Sequence, residues 1–379
     1  MKFNFTDPIR FTKAVYYHIH PIPLPKPFKD GTGGMGKNAP EQGFIELYDQ
    51  EGGCAHLSVG TDFVSQMLPK ILNGETKSYN EWRTEQYWKI RNAGFQSGPA
   101  CQVGQLDLMM LDLLAQRAGK SFHRFLGAEK DWAAAYKGGG SLLLSDEELV
   151  EDMCRYASEG YKTVKFKVGS DNGTNMEKDI RRLEKVRAAL GPDMGIAVDC
   201  NQRWEVEDAY RFAKLAEPYN LEWLEEPIHS NDFNGIKRLK EMGVKQPLAF
   251  GESMRISYMY EIYIEKGVDH IQPSVGRQTR MDDLLTIRDM CRAAGVTFSS
   301  GGRIYLNANF GCLYGPDERI EYHAPITDPV GEYTLFQPVA KDGRFWCDPD
   351  VKGIPQRMNI EKLEKDGLLE SRKVFYPTA

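Results

Sequence analysis

Thr163-Val164-Lys165-Phe166-Lys167-Val168 is the stretch from which the fold is read. Its residues alternate, so a β-strand over it sends Lys165 and Lys167 to one face and Val164, Phe166 and Val168 to the other. In a barrel wrapped by helices the apolar face packs outward, and the lysines then point to the interior. Two ammonium groups so placed disfavour each other's charge, which predicts a lowered pKa for at least one and a base able to take a proton near neutral pH.

The same rhythm extends in both directions. From about residue 133, short apolar strands are expected at 133–137, 163–168, 196–199, 221–225, 247–250, 269–272, 296–299 and 319–322, with amphipathic helices between them. Ser145-Asp146-Glu147-Glu148 reads as a capping box, with Leu149, Val150, Met153, Cys154 and Ala157 as the stripe behind it. Seven to eight β/α units over about 200 residues predict an α/β chain built on a modified TIM-like barrel, whose active site lies at the C-terminal ends of the strands.

Upstream the pattern differs. Phe11 to Ile19 favours β structure, Pro21 to Pro27 an extended course, and Gly43 to Gly53 a hairpin, while residues 21–42 read as a long mobile loop. Helices are expected between Val64 and Leu126, the most apolar around Leu106 to Leu114. The chain is therefore divided into an α+β capping domain over 1–128, to which 341–379 return, and a catalytic barrel over 129–340.

Three predicted strands end in acids: Val198-Asp199-Cys200-Asn201, Leu224-Glu225-Glu226-Pro227 and Phe250-Gly251-Glu252-Ser253. The intervals from Asp199 to Glu225 and on to Glu252 are 26 and 27 residues, one β/α unit each. Carboxylates converging at a barrel mouth repel unless a hard cation joins them, and all-oxygen ligation suits Mg2+.

Here a resemblance becomes specific. K-x-K on strand 2, D-x-N on strand 3, E-E-P on strand 4 and G-E on strand 5 resemble the mandelate racemase/muconate-lactonising branch of the enolase superfamily. The likeness extends over the helix carrying Asp107 and Asp112 and over Phe125-Leu126-Gly127. It implies a Mg2+-dependent enzyme that removes the proton next to a carboxylate through an enediolate. Lys167 would be the base, Lys165 its electrostatic partner, and Asp199, Glu225 and Glu252 the metal ligands, with Asn201 near the substrate. Glu225 is chosen over Glu226 from the family pattern, because alternation alone cannot decide. Glu321 matches a position that hydrogen-bonds the substrate carboxylate, which would require it to be protonated.

The chain departs from relatives that place Asp on strand 6 and His on strand 7, since Ser274 and Ser299 stand there. Arg277 and Arg280, where other members carry a lysine, make poor bases. One-base β-elimination of a sugar acid to a 2-keto-3-deoxy acid is thereby favoured over racemisation, epimerisation or cycloisomerisation, and a catalytically silent metal-binding homologue is the reading from another class. Tyr136, Lys137 and His323 are candidate acids for the leaving group, and Arg303 a candidate for gripping a substrate carboxylate.

Lys26, Lys29 and Lys37 are expected on a lid loop facing an anionic ligand, and His56 on a second capping loop. Gly31 to Asn38 nearly spells a phosphate-binding loop, but no strand precedes it and Ala39-Pro40 stands where the helix should begin. With 48 basic and 54 acidic residues and a net charge of −6, the chain has no footprint for nucleic acid or a membrane surface. Seven scattered cysteines read as reduced thiols. No stretch has the length of a signal peptide or a bilayer span, so a cytoplasmic homo-oligomer acting on a small carboxylate is expected.

Overall fold

The computed structural model describes residues 2–39 and 42–377. Eight parallel strands close into a barrel: β1 Trp132–Gly138, β2 Thr163–Lys167, β3 Gly195–Asp199, β4 Trp223–Glu225, β5 Leu248–Phe250, β6 His270–Ile271, β7 Thr297–Ser300 and β8 Arg319–His323. Closure is made by β8 on β1, with Glu321 opposite Tyr136. Each predicted strand coincides with an observed one to within about two residues. Helices follow the strands, among them α1 Asp146–Ser158, α2 Met176–Leu190, α3 Val206–Ala216, α4 Phe233–Glu241, α5 Tyr258–Glu265, α6 Asp282–Ala294, α7 Ile304–Gly311 and α8 Ala324–Gly331. The α1 capping box forms as read, Ser145 accepting from the Glu148 N–H and Glu148 from the Ser145 N–H.

Alternation divides two cores. Val164, Phe166, Ile196 and Val198 pack outward with the helices, whereas Tyr136, Ala197, Trp223 and Ala249 fill the barrel axis. Register then sets the site, because Lys167, Asp199 and Glu225 are Cα partners across β2, β3 and β4 and so lie in one layer. Lys165 lies one layer deeper, level with Ala197 and Trp223.

The N-terminal region forms an antiparallel sheet in which Phe11–Ile19 lies between Leu369–Phe375 and Gln42–Asp49, with Cys54–Ser58 beyond. Helix Gly98–Arg117 is fastened by two buried acids. Asp107 accepts from Tyr79 Oη at 2.6 Å and from the Met281 N–H at 2.8 Å, and Asp112 from the Ile354 N–H at 2.7 Å.

Three expectations are corrected. The segment read as a long mobile loop is largely a β-hairpin, Pro23–Lys29 against Gly34–Asn38, anchored by Phe28, Ile22 and Leu24 in a small apolar cluster; residues 40 and 41 lie outside the described part. Residues 344–346, expected to have left the barrel from 341 on, pair antiparallel with β1; the chain is back on the N-terminal region by Ile354 and Gln356, which bond Asp112 and Ser58, and Leu369–Phe375 adds a strand to its sheet. His56 sits on the strand Cys54–Ser58, not on a loop, its Nε2 3.4 Å from Glu46.

Candidate active site

A cleft of about 370 Å³ opens at the C-terminal ends of the strands. It is lined by Lys165 and Lys167 from β2, Asn201 and Gln202 after β3, Glu226 after β4, Glu252 and Ser253 after β5, Arg277 after β6, Arg303 after β7, and Glu321 and His323 from β8. The hairpin contributes Phe28, Asp30 and Thr32, and α8 contributes Ile326 and Thr327. A smaller cavity of about 230 Å³, lined by Lys26 and Phe28 of the hairpin with Asp152 and Tyr156, includes neither Lys165 nor Lys167.

The lysines and acids interlock. Lys167 Nζ donates to Asp199 Oδ2, and Lys165 Nζ reaches Glu225 Oε1 at 2.7 Å and Glu321 Oε1 at 2.9 Å. Burial works against the charged form of both lysines, but the acids outweigh it: Glu225 and Glu321 hold Lys165 well above the ordinary lysine value, and Asp199 raises Lys167. The expected downward shift from mutual repulsion is therefore corrected, since the charge of Asp199 on Lys167 outweighs that of Lys165. Glu321 is corrected likewise. Burial pushes it up, yet Lys165, His323 and Lys167 together bring it below the usual glutamate value, so it is ionised.

Acids that share the space repel. Burial and the charge of Asp199 push Glu225 up to about 8, and burial with Glu252 and Asp199 pushes Glu226 up to about 7. Glu226, which alternation could not choose, lines the cleft because its φ of 37° breaks the strand and turns its side chain toward Ser230 and Gln202. Glu225 stays deeper in the barrel, its Oε2 accepting from Trp223 Nε1 at 3.0 Å. Burial lowers His323 to about 4, so its imidazole is neutral, with its ring edge-on to Phe28 at 4.9 Å.

Other predicted residues divide between cleft and wall. Asn201 lies in the cleft, donating from Nδ2 to Asp199 Oδ2 at 3.1 Å. Arg303 lines it too, its Nη1 3.4 Å from Tyr305 Oη. Tyr136 does not: it is part of the barrel floor, 1% exposed, its hydroxyl 3.1 Å from Gln272 Nε2. Lys137 is corrected as well, because on β1 it faces outward to α1, paired with Glu159 among the rings of Tyr156 and Tyr322. Lys26 pairs with Asp152 at 3.0 Å, and none of Lys26, Lys29 and Lys37 lines the cleft. Ser299 bonds His270 Nε2 at 2.8 Å inside the barrel.

The donor set is the kind a hard divalent cation takes: carboxylate oxygens ending three consecutive strands, with the buried Asn201 Oδ1 beside them lacking a hydrogen-bond partner. Among the described residues no three acidic side chains close on one point. Their oxygens lie instead on Lys165, Lys167 and Arg277, and a cation shared by the acids would replace those contacts.

Comparison with known proteins agrees with this architecture. Residues 148–351, just over half of the chain, match the family described as enolase C-terminal domain-like. The L-talarate/galactarate dehydratase of Salmonella typhimurium is 27% identical over 284 residues, covering 74% of this chain and 69% of its own. Arabinonate dehydratase of Saccharolobus solfataricus is 28% identical over 328 residues, 83% of this chain and 84% of its own. At a similar level stands the D-Ala-D/L-Ala epimerase of Cytophaga hutchinsonii, 27% identical over 276 residues, 72% and 70% of the two chains. In structure, the Salmonella typhimurium dehydratase liganded with Mg and L-lyxarohydroxamate superposes with a TM-score of 0.80 at 24% identity, covering 98% of this chain and 95% of that one. A racemase from Streptomyces coelicolor with bound magnesium gives 0.79 at 22% identity, over 94% and 99%. With its closed eight-strand barrel and its family match, the chain belongs to the enolase superfamily, in the mandelate racemase/muconate-lactonising branch.

Proposed function

We propose that this enzyme dehydrates a sugar acid to a 2-keto-3-deoxy acid, with Lys167 taking the proton α to the carboxylate. The observation that carries this reading is the layer of Lys167, Asp199 and Glu225 at the barrel mouth, opening on a cleft that also holds Asn201 and Glu252. Asp199, Glu225 and Glu252 would hold Mg2+, with Glu226 near enough to share its charge. A divalent cation there supplies positive charge against the second negative charge of an enediolate.

The chain's own groups do the rest. Lys167 becomes a base only when Asp199 ceases to hold its proton, because that carboxylate is what raises its pKa. Lys165, pinned between Glu225 and Glu321, stays an ammonium and offers fixed positive charge to a developing oxyanion. Asn201 and Arg303 orient substrate oxygens.

One-base elimination is supported by what faces Lys167. After β6 and β7 the cleft is lined by Arg277 and Arg303, poor bases, while His270 of β6 is held by Thr297 and Ser299 inside the barrel. Epimerisation is the second reading, and His323 is the observation that favours it, because a neutral imidazole in the cleft can accept a proton. The same neutrality weakens its case as the acid that assists the leaving group.

Incubation of sugar mono- and diacids with enzyme and Mg2+ should release 2-keto acids. Lys167→Ala should lower kcat by about 10²- to 10⁴-fold, the range of a general base. Exchange of the α-proton with solvent deuterium without any 2-keto acid would replace dehydration by epimerisation.

A further inference from the structure

Arg277 differs from the two lysines of the cleft. It ends the turn Val275–Arg277 after β6, and its Nη2 reaches Glu252 Oε1 at 3.2 Å. Among the described residues Glu252 is its one side-chain ion-pair partner, and the two side chains are 43% and 36% exposed. Lys165 and Lys167, by contrast, are 2% and 7% exposed and locked between buried acids. A guanidinium carries five donors in a planar fork, and a single contact at 3.2 Å uses little of that capacity.

A small divalent ion holds its ligands at about 2.0–2.1 Å, so on Glu252 it would compete with the guanidinium for the carboxylate's lone pairs. Two positive charges against one carboxylate also repel. The backbone behind Arg277 is fixed, its N–H donating to the Ser274 carbonyl at 3.1 Å. The side chain, 43% exposed at the edge of the cleft, can turn while its root stays in place. Arg303 follows β7 and lines the same cleft, and β6 and β7 stand across the closed ring from β2 and β3, which carry Lys167 and Asp199.

We propose that Arg277 is a specificity residue that trades Glu252 for the substrate: a divalent cation displaces it from Glu252, and the freed fork, beside Arg303, receives a second anionic group at the far end of the acid. Cation binding thus creates the anion site, and the preferred substrate class is a sugar diacid over the matching monoacid. This rests on the reading that Glu252 is a metal ligand.

Calorimetric titration of the full chain with Mg2+ alone separates the two ideas. Arg277→Met, which removes the competing charge, should tighten Mg2+ about tenfold, and Glu252→Gln should weaken it. In a Lys167→Ala background that slows turnover, glucarate should bind about tenfold tighter than gluconate when Mg2+ is present, and Arg277→Met should erase that preference. Arg277→Lys, which keeps charge but not the fork, should leave Mg2+ affinity near the parent's and reduce the preference. Unchanged or weaker Mg2+ binding in Arg277→Met, or a diacid preference that survives it, overturns the proposal while leaving the dehydratase reading intact. Glu252→Gln binding Mg2+ as the parent does overturns the metal assignment itself, and the exchange with it.

Discussion

Asp112 shows how much one buried acid can tie together. It accepts from the backbone of Ile354 and of His56, and burial pushes its pKa up to about 6. In the unfolded chain the carboxyl would titrate near 3.9. The native state therefore binds the proton more tightly, and the stability this contributes is complete below about pH 4 and lost as pH rises through about 6. A shift of about two units corresponds to ~3 kcal/mol. Urea unfolding of the parent and of Asp112→Asn across pH 4 to 7 should show the parent's advantage growing as pH falls; a constant difference would mean that Asp112 does not titrate in this window. At this scale the sequence was legible wherever a residue's neighbours along the chain decide its direction. Lys165 and Lys167 follow from alternation and Asp199 from its place at a strand's end, whereas Lys137 was named for its place at the end of β1, where alternation with the inward Tyr136 turns it outward. The ionisation of Lys167 and Glu321 was not legible, because it depends on carboxylates and amines brought together from β3, β4 and β8.

Among the elements, the hairpin Pro23–Lys29/Gly34–Asn38 does the most to shape the cleft. Its tip is keyed to the end of β3: a Cβ at Gly31 would lie 2.3 Å from the Cys200 carbonyl oxygen. Gly31→Ala must then push the hairpin, with Asp30 and Thr32, off the cleft. Steady-state kinetics should show kcat/KM reduced about 10²-fold, the scale of a misplacement of about 1 Å, with the unfolding midpoint little changed. Equal loss in both would make Gly31 a folding residue instead. In α1, Ser145→Ala removes the cap and should cost about 1 kcal/mol by urea unfolding, without change in KM. That helix was readable because its cap and stripe are local, while the prolines before Lys29 concealed a hairpin that is held by long-range packing on α8 and Tyr333.

At the scale of the whole molecule, the match between predicted and observed barrel strands reflects the strength of a period repeated eight times. The course of the tail was less clear. Residues 344–346 bind β1, and Leu369–Phe375 joins Phe11–Ile19 through backbone hydrogen bonds that carry no local signature. Among the described residues no helix is long and apolar enough to cross a membrane. If the acids of β3 to β5 share a cation, the folded chain binds it and the unfolded one does not. Mg2+ at about 100 times its Kd should then raise the unfolding free energy by ~2.7 kcal/mol, chelation should reverse the gain, and Asp199→Asn should abolish it. An identical melting curve with and without the ion would remove the cation from the site.

The seam between Gly31 and Cys200 has a consequence for anyone who would re-engineer this scaffold. The strip of chain that screens the ligand and the bend that carries Asn201 touch backbone to backbone, so neither can be exchanged alone. A hairpin transplanted from a relative needs its matching bend after β3, and substrate range and ion affinity should change together in such chimaeras.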